Sequence, residues 1–199
     1  MKTPTETTPQ DPRGTQYAGV ANRLTAFAFD YLIICGYIVM LIATTMATVK
    51  IAELVGLTWH WPGSPIIADL IALVTLVLPV VLYFTLQESS PKQGTWGKRK
   101  AGIRVVNANG GTLTRPQALL RSLVKFLPWQ IAHTGLFQGL AVSTIPLAVI
   151  VGYVFVYMLV GIYTASALIS KKHRTPYDWA SGSYVIVDVQ IGRKNLCEP

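Results

Sequence analysis

The sequence predicts an all-α membrane protein: four transmembrane helices with a small cytoplasmic β-hairpin or sheet, and both termini in the cytoplasm. Three observations lead there. Apolar residues make up 51% of the 199 residues and charged residues only 13%, about half the usual share of a soluble chain. Apolar runs long enough to cross a bilayer recur along the chain. Finally, sixteen of the seventeen Lys and Arg residues fall in three segments, and only Lys50 lies between the first two runs. A formal charge of +8 gathered on one soluble face would suggest a nucleic-acid partner. Distributed as topology signals it does not, so no nucleic acid is expected.

The elements follow in order. Residues 1–16 are polar and carry Pro4, Pro9 and Pro12, which reads as a disordered cytoplasmic leader, and no cleaved signal peptide is expected. Tyr17 is an expected interfacial anchor. The first span runs over about 24–49, roughly 39 Å of helix at 1.5 Å per residue. Trp59-His60-Trp61-Pro62-Gly63 has the make-up of an interfacial turn, since indole rings suit the headgroup boundary. A second span over about 65–86 contains Asp69 and, at its middle, Pro79, where a kink is expected. Alternating residues around Asn109-Gly110 suggest a hairpin over about 102–114. The stretch over 119–139 is ambiguous by hydropathy, with Arg121, Lys125, Pro128, Gln130 and His133. A last apolar run covers about 144–169. The β-branched segment over about 183–189 reads as a strand that shares a sheet with the hairpin, and 191–199 is a tail. Residues 17–190 thus form one membrane domain.

Charge resolves the ambiguous stretch. Basic groups before the first span, after the second and after the last belong on one side under the positive-inside rule. The middle and last groups share a side only if an even number of crossings separates them, so 119–139 is expected to cross, with a re-entrant helix as the alternative.

Motifs for chemistry are sparse. Gly94-Thr95-Trp96-Gly97-Lys98 superficially resembles a phosphate loop, but Lys92 stands where its first glycine belongs and Arg99 where Ser or Thr is required. A basic turn at the membrane surface is the plainer reading. Cys35 and Cys197 do not suggest a disulfide, and the three histidines lack metal-ligand spacing. No cofactor or metal is expected, and no catalytic constellation marks the chain as an enzyme.

Four pieces together are similar to the RDD family of small bacterial membrane proteins, named for one arginine and two aspartates. Arg23 and Asp30 match the arginine and first aspartate, Gly94–Lys98 with Gly102–Val106 resembles the stretch before the family's hairpin, and Leu119-Leu-Arg121-Ser-Leu resembles its arginine-containing helix start. Arg174-Thr-Pro-Tyr-Asp178-Trp-Ala-Ser-Gly182 resembles its closing segment, making Asp178 the second aspartate. Tyr177 and Trp96 depart from the pattern, which more often has histidine and leucine there. The resemblance implies the bacterial inner membrane, and an activity mostly undescribed, with cation/proton antiport proposed for some members.

Three roles compete for these charges. An aspartate inside a membrane helix costs on the order of 2–3 kcal/mol at least, and usually faces a protein interior or water. As structure, Arg23 and Asp178 pair across the cytoplasmic surface, with Asp30 about 10 Å deeper along the helix. As a transporter, Asp30 and Asp69 are the proton or cation stations. As an adaptor or assembly factor, Lys98, Arg99, Lys100, Arg121, Lys171, Lys172 and Arg174 contact anionic phospholipid or a partner. A homo-oligomer or a membrane protein partner is compatible with either of the last two roles.

Overall fold

The computed structural model of the protein describes residues 16–58, 63–141 and 143–188. The leader up to residue 15, the turn over 59–62, the end of the expected tail strand and the tail over 191–199 lie outside the described residues. Helix α1 spans Val20–Leu54, α2 Pro65–Ala72, α3 Leu78–Glu88, α4 Trp96–Lys100, α5 Arg115–Leu140, α6 Leu147–Ile169 and α7 Pro176–Ala180. Strands β1 (Ile103–Asn107) and β2 (Ser183–Val187) complete the fold. A π-helical turn, Leu73–Val77, joins α2 to α3, so that Pro65–Glu88 is one continuous helix. Among the described residues, three helices are long and apolar enough to cross a membrane: Val20–Leu54, Pro65–Glu88 and Leu147–Ile169. The 26-residue α5 is not among them.

The chain divides into two units. The first gathers the chain up to Asp30, Leu82–Lys125 and the chain from Gly161 onward, and it holds the sheet. Strands β1 and β2 are antiparallel, with Ile103 opposite Val187 and Asn107 opposite Ser183. Gln16–Ala18 lies along the other edge of β2: the Val187 amide donates to the Gln16 carbonyl and the Ala18 amide to Val185, each at 2.9 Å. Ile103, Val105 and Val185 pack with Ala26 of α1 and Ala118 of α5 in one buried cluster. Tyr17, expected as an interfacial anchor, is instead buried and bridges to Ile186.

The expected hairpin is corrected to a single strand and a turn. The Asn107 side-chain carbonyl accepts from the amides of Asn109 (2.9 Å) and Gly111 (3.0 Å), while its amide donates to Thr112. Gly110 adopts the left-handed conformation, φ +82°, which glycine takes without a steric cost. With its capping groups spent on a tight loop, 108–114 does not return as a strand, and the partner of β1 is the tail strand. Asn-Gly between alternating residues signalled a turn, but not which strand would follow it.

The second unit comprises Tyr31–Val81 and Phe126–Val160. Its clearest sequence signature is Pro79, which cannot donate to the carbonyl four residues earlier. That carbonyl belongs to Thr75, and the Tyr37 hydroxyl donates to it at 2.5 Å. The helix widens into the π turn just before the proline, as the Leu78 amide reaches back to the Leu73 carbonyl. Helix α5 handles Pro128 in the same way: the carbonyl that the proline releases is Val124's, and it accepts from the Tyr163 hydroxyl at 2.7 Å. A released carbonyl still needs a donor, and in each case a phenol from a neighbouring helix supplies it. We expect Tyr37→Phe to destabilise the protein by about 1–3 kcal/mol, the usual cost of orphaning a buried acceptor. Thermal unfolding in detergent micelles measures it, and an unchanged midpoint would show that the π turn satisfies itself.

Candidate functional site

The candidate site lies in the first unit, where five helices bring buried charges together. Its centre is Arg121, 2% exposed, on the second turn of α5. Its Nη1 donates to Glu88 Oε2 and its Nη2 to Asp178 Oδ1, both at 2.6 Å, and its Nε donates to Ser183 Oγ at 3.1 Å. The planar fork thus meets an acceptor on three sides, a geometry that suits arginine and not lysine. Glu88, at the end of α3, also takes Lys98 Nζ in an ion pair. Asp178 Oδ2 accepts from Arg23 Nη1 at 2.7 Å and from the Thr175 amide at 3.0 Å. Cation and carboxylate alternate in one run from Arg23 through Asp178, Arg121 and Glu88 to Lys98.

Local sequence places each member. Thr175-Pro176 starts α7 with proline at its first position, and Asp178 three residues on bonds back to the Thr175 amide, which is how a capping carboxylate fixes a helix start. Burial alone would push the Asp178 carboxyl up, but Arg121 and then Arg23 outweigh it and hold the group well below the usual carboxylate range. Burial pulls the Lys98 ammonium below its ordinary value, with Glu88 opposing.

Asp30 belongs to a separate arrangement beside this run. It is 1% exposed and accepts three hydrogen bonds: from Thr95 Oγ1 at 2.5 Å, the Gly97 amide at 2.8 Å and the Tyr83 hydroxyl at 3.2 Å. Thr95 is the N-cap of α4, so the carboxylate of α1 holds the start of α4 from outside. Gly97 is what permits the approach. A Cβ there would stand 2.2 Å from the Ala26 carbonyl oxygen and 2.7 Å from Asp30 Cγ. The turn that resembled a phosphate loop is therefore a docking turn, its glycine selected by helix-to-helix contact.

The expected Arg23–Asp178 pair is present, and Asp30 is the deeper residue bonded elsewhere. Lys98 and Arg121, expected at the lipid or partner surface, are buried in ion pairs because α3 and α7 supply carboxylates to them. Lys100, Lys171 and Lys172 are exposed, and Arg99 and Arg174 half-buried. Lys172 Nζ sits 5.5 Å and Arg174 Cζ 4.4 Å from the Tyr184 ring centroid. Asp69 lies in the second unit, where it accepts from Gln130 Nε2 at 3.2 Å and Thr134 Oγ1 at 2.8 Å, both on α5. Of the two departures from the family pattern, Tyr177 stacks under the Arg121 guanidinium at 5.0 Å, and Trp96 meets Phe29 edge-on at 5.7 Å. Sequence reasoning missed Glu88, Thr95, Gly97 and Ser183. For Glu88 a signal existed: it is the one acidic residue between Gln87 and Lys125, among eight Lys and Arg.

Apolar helices, a small sheet and a buried arginine–aspartate tie define a helical membrane protein whose charges are turned inward. The model of the RDD family, a family of membrane proteins, matches residues 17–182, and the chain belongs to that family. Neither the comparison with curated proteins nor that with solved structures found a match.

Two outcomes follow from this geometry. Gly97→Ala should cost at or above the upper end of the roughly 1–3 kcal/mol typical of overpacking. Gly94→Ala, whose Cβ would meet the Lys98 Cβ at 3.3 Å, should be the milder change in the same unfolding assay. The second concerns acid. Because the folded Asp178 carboxyl titrates below its unfolded value of about 3.9, its contribution is complete above that value and is lost as pH falls below it. Melting midpoints between pH 7 and pH 3 should drop in the acid limb, and more shallowly for Asp178→Asn.

Proposed function

We propose that this chain is a multi-pass protein of the bacterial inner membrane, with four crossings and both termini in the cytoplasm, that acts as a membrane adaptor or assembly factor. In this reading its buried charges hold a cytoplasmic cap of α4, α7 and the sheet onto the helix ends. The exposed Lys100, Lys171 and Lys172 then offer a basic face to a partner protein of acidic surface. The observation that carries it is Asp30: the one acidic residue of the first span spends its acceptors on Thr95, Gly97 and Tyr83. A proton or cation carrier has to exchange with water, whereas a saturated anchor does not.

A fourth crossing by α5 is supported by its length, 26 residues or about 39 Å, and by the charge asymmetry. It is also supported by where the polar groups of α5 go. Gln130 and Thr134 are bonded to Asp69, and the Ala132 carbonyl takes the Tyr153 hydroxyl at 3.1 Å. Low average hydropathy is tolerable in a span whose polar side chains face partner helices.

One observation favours cation/proton transport through Asp30 and Asp69 instead. Asp30 lines a cavity of about 260 Å³ within the first unit, the kind of space that a transport route requires. Purified protein in vesicles loaded with a pH-sensitive dye decides between the two. The adaptor reading expects no sodium- or potassium-driven proton flux above protein-free vesicles, and a lower folded yield for Asp30→Asn, whose amide would face the Thr95 hydroxyl. Flux from wild type that disappears in folded Asp30→Asn would overturn it. Truncation at residue 170 is not a clean partner test, since it removes Asp178 and β2. Lys171→Glu combined with Lys172→Glu reverses the surface charge and leaves the buried run intact, and should abolish partner binding at unchanged stability.

A further inference from the structure

The cations of the first unit are held in two ways. Arg23, Lys98 and Arg121 turn inward, and each is paired with a carboxylate. A second set lies on the outer face of the sheet. Side chains opposite one another on paired strands share a face, so the register puts Arg104 and Val106 of β1 beside Tyr184 and Ile186 of β2. Ile103, Val105 and Val185 take the other face, which packs against Ala26 of α1 and Ala118 of α5. The outer face therefore points away from α1 and α5. Tyr17 joins it across the bridge to Ile186, its ring 6.1 Å from that of Tyr184. Two further cations lie over these rings. The Lys172 ammonium is 5.7 Å from the Tyr17 ring and 5.5 Å from that of Tyr184, and the Arg174 guanidinium is 4.4 Å from the latter.

These outward cations are steadied by neutral groups. Arg104 Nη1 donates to the Gln93 side-chain carbonyl at 3.0 Å, Arg174 Nη2 donates to the Asp178 main-chain carbonyl at 3.1 Å, and Lys172 rests on the two rings. Those bonds leave Arg104 Nη2 and Arg174 Nη1 without a partner, and neither nitrogen is closed to solvent. Charge on this face is lopsided. Among residues 16–18, 103–107, 171–174 and 183–188, Arg104, Lys171, Lys172 and Arg174 stand against Asp188 alone. A cation already held over a ring has part of its freedom spent, so an anion that binds it meets a smaller ordering cost. Guanidinium ends with spare N–H groups suit carboxylate oxygens, with which they form charge-assisted pairs. We propose that the outer face of the sheet docks an acidic segment of a partner protein. Its carboxylates meet Arg104 Nη2, Arg174 Nη1 and the Lys172 ammonium. The proposal rests on the adaptor reading and narrows it from exposed lysines in general to one face of the sheet. A protein is favoured over a lipid surface because this face is turned away from α1, the helix that leads into the bilayer.

Fluorescence anisotropy of a labelled octaglutamate peptide, titrated with the full-length protein in phosphatidylcholine nanodiscs, tests it. Wild type should bind the peptide saturably. Arg104→Gln and Lys172→Gln should each weaken binding by about three- to fivefold. Tyr184→Leu, which removes the ring under two cations and leaves the charge unchanged, should weaken it by a similar factor. Arg115→Gln, an equal loss of charge at the exposed start of α5, should leave it unaltered. Absence of binding by wild type overturns the proposal, and so does weakening by Arg115→Gln that equals that of Arg104→Gln. Dioleoylphosphatidylglycerol vesicles that displace the peptide from wild type, and bind less well to the Arg104, Lys172 and Tyr184 variants, assign the face to the membrane and overturn the protein partner. If Tyr184→Leu does not fold, wild type with Arg104→Gln and Arg115→Gln decides the matter. The adaptor reading fails separately: cation-driven proton flux through Asp30 sinks it whatever the peptide does, whereas no peptide binding and no flux sinks this face alone.

Discussion

The structure depends on one side chain with three acceptors. Arg121 joins the end of α3, the short helix α7 and the start of β2 through Glu88, Asp178 and Ser183, and through Asp178 it reaches Arg23 at the start of α1. No pair in this run is independent, because each carboxylate is shared between two cations. Taking such charges out of water is expensive, and a buried ion pair is often no better for stability than apolar side chains of equal volume. What the run supplies is registry. An arginine with three differently placed acceptors fits only when all the contributing elements are in position, whereas apolar contacts between the same elements would tolerate sliding. In a protein whose long helices expose apolar residues over most of their surface, non-directional packing has little power to fix the ends, and the directional contacts are concentrated where they are needed.

Asp30 extends the same logic two turns deeper. It is satisfied by a hydroxyl from Thr95, a backbone amide from Gly97 and a phenol from Tyr83. Backbone amides at a helix start favour a negative charge, so α4 and Asp30 each provide what the other lacks. The contact is possible only because position 97 has no side chain. A charge inside an apolar helix and a glycine in a distant basic loop thus form one device, and neither is intelligible alone.

That interdependence explains what the sequence disclosed. The apolar runs, the strand at 183–187 and the Arg23–Asp178 pair were legible because each is a property of one segment or of two helix ends that topology puts together. Hydrophobic period and charge count are local quantities. Arg121 and Lys98 were misplaced for the same reason: the positive-inside rule counts basic residues by segment and is indifferent to whether a given one faces lipid, water or a carboxylate. Their partner Glu88 was visible as the lone acid in a basic stretch, but nothing local ties it to Arg121, 33 residues away. Gly97 was hidden more deeply, since a glycine-rich turn beside lysine suggests a small ligand to be cradled, while the ligand of this turn is another helix of the same chain.

Helix α5 shows the limit of hydropathy from the other side. Averaged over its length it is too polar to resemble a span, and Pro128 would interrupt it further. Yet an average counts polar groups without saying which of them are left without partners. Gln130 and Thr134 are bonded to Asp69, and the Ala132 carbonyl accepts a tyrosine hydroxyl. The carbonyl released by Pro128 accepts another, from Tyr163. The continuous helix before α4 repeats the pattern with Pro79 and Tyr37. Two prolines, each answered by a phenol from a different helix, mark sites where a helix gives up one backbone bond and the loss is made good by packing. A proline four residues beyond a carbonyl, with tyrosine on a neighbouring apolar helix, is therefore a contact signal readable in sequence. Tyr37 with Pro79 pairs α1 with the second long helix, and Tyr163 with Pro128 pairs α6 with α5, although neither pairing leaves any trace in hydropathy.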